Sequence, residues 1–289
     1  MSSIGQGGRR QRPNVRLEGT LVLLVVALGG ALFVTPAAWL VMAWLSDSYY
    51  SHGFLVPLIS LFLVWRLRMR LVSLPSQPVP LAVLLLAACL ALAAECIWRQ
   101  AYFVACLAFV GCLGATALYL RGWAWARLLA FPFGYLLFMV PLPFVNDLAI
   151  ELQVVASTLA AALAGIVGVP VQQQGAAVSI PGASFVVGLA CSGLNSLIAL
   201  LVLGALLAYL LHASSWAKLA LLLLVVPIAV LANEVRIASL LWVAQHFGNE
   251  AGIAYHDLAA GYLSWTLTLV LMALVCKLLR CQLTPAASV

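Results

Sequence analysis

Residues 171–203 read VQQQGAAVSIPGASFVVGLACSGLNSLIALLVL, and the succession of textures in this stretch decides the fold. A polar run, Gln172-Gln173-Gln174, comes first. Two short segments, Val178–Ile180 and Ser184–Val187, then flank Pro181-Gly182, a turn pair that predicts a β-hairpin. Cys191-Ser192-Gly193-Leu194-Asn195 follows and opens into an apolar run ending near Leu211, the length of a helix across a bilayer. A thiol among small polar residues at the mouth of such a helix is unusual. The first amides of a helix have no intrahelical partner and carry partial positive charge, which favours a thiolate.

Around this stretch the chain is mostly apolar. Of 289 residues, 65% are hydrophobic and 8% charged, against about 25% charged in a soluble domain. The sequence therefore predicts an all-α polytopic membrane protein. The net charge of +6 does not point to nucleic acid, because the basic residues sit in short clusters between apolar runs and no soluble basic face exists. The seven cysteines form no CxxC pair and no Cys/His spacing suited to zinc, so neither a metal nor a cofactor is expected. Cys89, Cys106, Cys112 and Cys276 lie inside apolar runs and read as small hydrophobes.

Taken in order, residues 1–17 read as a disordered cytoplasmic N-terminus and 18–280 as one transmembrane catalytic domain; 281–289 read as a cytoplasmic tail. About eight spans are expected: 21–45, 54–65, 79–97, 101–120, 128–145, 191–211, 219–245 and 256–277. With the N-terminus inside, Arg9, Arg10, Arg12, Arg16, Arg66, Arg68, Arg70, Arg121, Arg127, Lys218, Lys277 and Arg280 fall on the cytoplasmic side. These are 12 of the 14 basic residues, as the positive-inside rule asks. Seven of the eight acids fall outside; Glu18 is the exception. Counting the helical segment 147–169 as a span would reverse this pattern after it. That segment is therefore expected as an outer interfacial or re-entrant helix beside the short β-hairpin.

Two basic residues break the rule. Arg99 lies in a tight turn, from which it can snorkel to the headgroups. Arg236 lies about nine residues inside its span, roughly 14 Å below the helix end. A cation there needs a partner, Glu234 or Asp257, or a wet cavity. His256 stands at the outer mouth of the last span. Cys191, Arg236 and His256 thus fall at the outer ends of three successive spans under one topology. Such a set suits acyl transfer: a thiolate attacks a carbonyl, histidine moves the proton, and a guanidinium donates to the developing oxyanion.

These blocks carry a family likeness. Ala190-Cys191-Ser192-Gly193-Leu194-Asn195-Ser196-Leu197, Asn233-Glu234-Val235-Arg236-Ile237 and His256-Asp257-Leu258-Ala259-Ala260-Gly261-Tyr262 resemble the exosortase/archaeosortase family. So do Tyr50-Ser51-His52-Gly53-Phe54-Leu55-Val56-Pro57 and Pro141-Leu142-Pro143. The resemblance implies a helical membrane cysteine transpeptidase of the inner membrane, with its active site at the periplasmic face. Its substrates would be exported proteins with a C-terminal sorting signal: a motif such as Pro-Glu-Pro, a membrane helix and a basic tail. Carried over, Cys191 is the nucleophile, Arg236 the support for thiolate or oxyanion, and His256 the acid/base. Asn195, Asn233, Glu234, Asp257 and His52 are expected to bind substrate or support the site. Membrane lipid is the other expected partner. The rival readings are a small-solute transporter, with Arg236 lining its path, and a non-catalytic assembly protein in which Cys191 only packs. Proteolysis with water as acceptor is the third.

Overall fold

The computed structural model describes residues 29–280 together with 282 and 283. The expected N-terminal segment 1–17, the first part of the first span and most of the 281–289 tail lie outside the described residues. The described residues are mostly helical, with a small three-stranded sheet set among the helices. Helix α1 (Val34–Ser46) passes through a 3-10 turn (Ser48–Phe54) into α2 (Leu55–Arg66) and α3 (Arg68–Ser73). Helices α4 (Ala82–Trp98) and α5 (Tyr102–Arg121) form a hairpin, and α6 (Trp123–Tyr135) continues as a 3-10 turn to Met139. Helix α7 (Val145–Ile166) leads to strands β1 (Gln172–Gln174), β2 (Ala177–Ile180) and β3 (Ala183–Val186). Then come α8 (Leu194–Leu210), α9 (Ser215–Phe247), α10 (Asn249–Tyr255), a π-helical turn (His256–Ala260) and α11 (Gly261–Leu278).

Each of the eight expected spans has a helix, but their lengths differ. Among the described residues, five helical stretches are long and apolar enough to cross a membrane: Ser48–Arg66, Tyr102–Arg121, Val145–Ile166, Ser215–Phe247 and Asn249–Leu278. Val34–Ser46, Ala82–Trp98, Trp123–Met139 and Leu194–Leu210 are apolar and shorter. The expected eight therefore correspond to four long helices and four short ones. The fifth long helix is α7, the segment expected in the interface; its 22 residues have a mean hydropathy of 1.7.

The sheet also exceeds expectation. The hairpin forms, with Val178 opposite Phe185 and Ile180 opposite Ala183. The polar glutamine run adds a third antiparallel strand, pairing Gln173 with Val178. Its tether is the fully buried Ser157 of α7, whose hydroxyl donates to the Gly175 carbonyl at 2.7 Å and accepts from Gln173 Nε2 at 3.3 Å. A second, two-stranded pairing joins β4 (Leu211–His212) to β5 (Gln282–Leu283).

Helix α9 is the axis of this half of the molecule. Ser214 caps it by accepting from the Ala217 amide, and Gly248, at φ 92°, ends it. Its 33 residues extend about 50 Å, against about 30 Å of bilayer hydrocarbon. Its two halves pack on different partners. In the first half, Leu221, Val225 and Ala229 meet Leu200 and Ala208 of α8 and Met272 of α11. In the second, Ile237, Ala238, Leu241 and Ala244 meet Ala156, Ala160 and Ala164 of α7 and Val178 and Ile180 of β2. The alanines allow close helix approach. The change of partners falls near Asn233.

Candidate active site

The site forms where the two halves of α9 meet. Val187 and Gly188 lead out of β3 into a 3-10 turn, Leu189–Cys191, that is held from both sides. The Cys191 amide donates to the Gly188 carbonyl at 2.8 Å, and the Tyr49 hydroxyl donates to the Leu189 carbonyl at 3.1 Å. The Ser192 hydroxyl also donates to Leu189 O, at 2.8 Å. Gly193 then takes a left-handed conformation, φ 83°, and α8 begins only at Leu194. Cys191 therefore does not sit on the first turn of the expected helix. The left-handed residue separates the two, and the amides of Cys191 and Ser192 are used within the 3-10 turn. Asn233, 1% exposed on α9, donates from Nδ2 to the Cys191 carbonyl at 3.0 Å and packs on Gly193.

His256 reaches the thiol from the other side. Its Nε2 is 3.5 Å from Cys191 Sγ, and its Nδ1 is 3.0 Å from Asp257 Oδ1. The histidine opens a π-helical turn, a one-residue widening of the helix that is common at functional sites. The preceding Tyr255 fixes that turn to α9: its hydroxyl donates to Ser239 Oγ at 3.0 Å, and Ser239 donates to the Arg236 carbonyl at 2.8 Å.

Cys191, His256 and Arg236 line one cavity of about 290 Å³. The sheet contributes Val178 and Phe185 to its wall, and α9 contributes Ile237, Leu240 and Leu241. Ile253 of α10 stands at the edge. Among the described residues that line it, Arg236 alone carries a permanent charge. Its Nε is buried without a hydrogen-bond partner. No carboxylate lies within ion-pair distance of it among the described residues, so neither of the candidate partners, Glu234 and Asp257, pairs with it, and it faces the cavity. Asp257 pairs with His256 instead, and Arg99 pairs with Glu95 at 2.6 Å on the surface.

Of the supporting residues expected from sequence, Asn233 and Asp257 touch the catalytic candidates directly. Glu234 is buried beside them, 5% exposed, with Oε2 unpartnered, yet it does not line the cavity. Asn195 lies on the first turn of α8, outside the cavity lining. His52 is also outside it, in the 3-10 turn after α1, where its ring is 6.2 Å from that of Tyr50. That turn matters through its tyrosines: Tyr49 holds Leu189, and the Tyr50 hydroxyl accepts from the Leu142 amide at 2.8 Å. Tyr49 went unread in the sequence, although the adjacent Tyr50-Ser51-His52-Gly53 block flagged the neighbourhood. Among the described residues no cluster of His, Cys, Asp and Glu is placed to hold a metal.

No curated protein and no solved structure matches the chain. The family model for transmembrane exosortases matches residues 44–275. That range contains every residue that lines the cavity as well as the turn that carries Tyr49, and the chain is a multi-pass membrane protein of the transmembrane exosortase family.

Proposed function

We propose that this exosortase is a cysteine transpeptidase that cleaves exported proteins at a C-terminal sorting signal through a thioester on Cys191. The observation that carries the reading is the 3.5 Å contact between Cys191 Sγ and His256 Nε2 in a cavity that also holds Arg236. With Nδ1–H donating to Asp257, the lone pair of His256 lies on Nε2, facing the thiol. The imidazole takes the thiol proton as sulfur attacks the scissile carbonyl carbon. The carbonyl oxygen gains negative charge, which Arg236 is suited to receive. Collapse of this intermediate breaks the C–N bond, and His256 returns its proton to the leaving amine. An incoming amine or water then loses a proton to His256, attacks the thioester and restores the thiol.

The position of the site supports a substrate geometry. The cavity's first α9 residue, Arg236, lies about 32 Å along α9 from its start at Ser215, close to one bilayer thickness. A substrate with one membrane helix and a basic cytoplasmic tail, lying beside the bundle, brings its motif to that level, at the periplasmic face of the inner membrane. A transporter would need charged and polar residues lining a path along several helices; Cys191, Arg236 and His256 instead share one cavity.

The test is co-expression of the chain with an epitope-tagged protein bearing a Pro-Glu-Pro-type signal. Wild type is expected to give a shortened product and Cys191→Ala none at equal expression. Product mass separates hydrolysis, which adds water to the new C-terminus, from transfer, which adds the acceptor. Equal processing by both forms would remove Cys191 as nucleophile.

A further inference from the structure

The cavity is much larger than the reacting atoms need. Its 290 Å³ is about twice the ~150 Å³ of an engineered apolar cavity that takes up benzene. Apart from Cys191, Arg236 and His256, every described residue lining it is apolar or glycine. Val178 and Phe185, cross-strand partners on β2 and β3, form one wall. Leu240 and Leu241 of α9, both buried, line the cavity as well. Ile253 on α10 is 49% exposed and marks the edge.

We propose that this cavity is the subsite for the side chain of the substrate residue that becomes acylated onto Cys191, and that it takes an aliphatic or aromatic chain. The proposal rests on Cys191 being the nucleophile. The side chain in question branches from the carbon next to the attacked carbonyl, so it lies beside Sγ throughout the reaction. The leaving segment, whose nitrogen must meet His256, departs past the solvent side of that residue, whose side chain is 41% exposed. The apolar wall is left to the acylated residue. Phe185 sets the depth of the subsite and Ile253 its edge, so the hairpin determines specificity as well as structure. In a pocket of this kind, one methylene too few lowers kcat/KM by about 10–200-fold.

The experiment uses membranes containing the full chain and a tagged substrate whose cleavage site has been mapped by product mass. Ala, Val, Leu, Phe, Trp and Lys are placed in turn at the acylated residue, and initial processing rates are compared. The wild-type protein should process Leu or Phe at least about tenfold faster than Ala or Lys. Phe185→Ala should shift the preference to Trp, and Ile253→Trp, a change at an exposed edge, should shift it to Ala and Val. A flat wild-type panel overturns the subsite. So does a preference that neither variant moves, or a size preference at the leaving residue in its place. Processing by Cys191→Ala would overturn the nucleophile, and the subsite with it; a flat panel with strict dependence on Cys191 overturns the subsite alone.

Discussion

His256 can take a proton from Cys191 only through a nitrogen with a free lone pair, and Asp257 decides which nitrogen that is. The His256–Asp257 pair is too exposed, at 41% and 67%, to contribute much stability; what it supplies is a tautomer. Arg236 presents the opposite case. It is a cation on a membrane helix without an ion pair among the described residues and with its Nε unpartnered. Such a group is costly to keep unless something that binds there uses its donors. If that use is the oxyanion, Arg236→Lys should be strongly impaired, because an ammonium keeps the charge but loses the planar fork. Loss of one fixed oxyanion donor lowers kcat by about 10²–10³-fold. The drop should appear in kcat with KM little changed, measured on the mapped substrate. Normal turnover by Arg236→Lys would mean that charge alone suffices.

The elements that deliver these residues are a 3-10 turn, a left-handed glycine and a π-helical turn, and none of the three leaves a simple periodic trace. Gly193 is the most constrained. An added Cβ there would meet Asn233 Cγ at 3.2 Å, and the backbone is at φ 83°, where an L side chain costs about 1–2 kcal/mol. Gly193→Ala should therefore push Asn233 from the Cys191 carbonyl and displace the thiol from His256. Processing should fall by about tenfold or more, in line with a near-attack geometry lost by a fraction of an ångström to one, while the protein still accumulates in the membrane. Unchanged processing would show that the turn tolerates the shift. The grouping of Cys191, Arg236 and His256 was legible in sequence because one topology puts all three at the outer ends of successive spans. The hairpin was legible from Pro181-Gly182. The glutamine strand was not, since Gln172–Gln174 has no apolar alternation and is held by Gln173 and Ser157 through side-chain bonds. Asn195 was expected near the site from its place in the Cys191 block that carries the family resemblance. The left-handed turn at Gly193 starts a new helix there and leaves Asn195 outside the cavity.

At the scale of the whole molecule, the length of α9 bears on which helices cross the bilayer. About 27 Å of it, from Ser215 to Asn233, is clasped by α8 and α11, and about 22 Å more, to Phe247, by α7, α10 and the sheet. One bilayer of about 30 Å accommodates the first of these lengths and not both. The sheet belongs to the second length, and an open sheet edge is not tolerated in hydrocarbon. This packing favours α7 as an outer helix stacked beyond α8, in agreement with the charge asymmetry. Its hydropathy does not distinguish the two placements, because exposed Leu148, Ile150, Val154 and Val155 suit an interface as well as a bilayer core. Single cysteines placed in a background without native cysteines test the arrangement through a membrane-impermeant maleimide. Asp147→Cys and Gln174→Cys, at either end of the α7 segment and both exposed, should label from the periplasmic side of intact cells permeabilised only at the outer membrane. Ser76→Cys and Ser215→Cys should label only after the inner membrane is opened. Labelling of Asp147→Cys and Gln174→Cys from opposite sides would make α7 a true span. It would also reverse every helix after it, and Lys218, Lys277 and Arg280 would then lie on the side that the positive-inside rule disfavours.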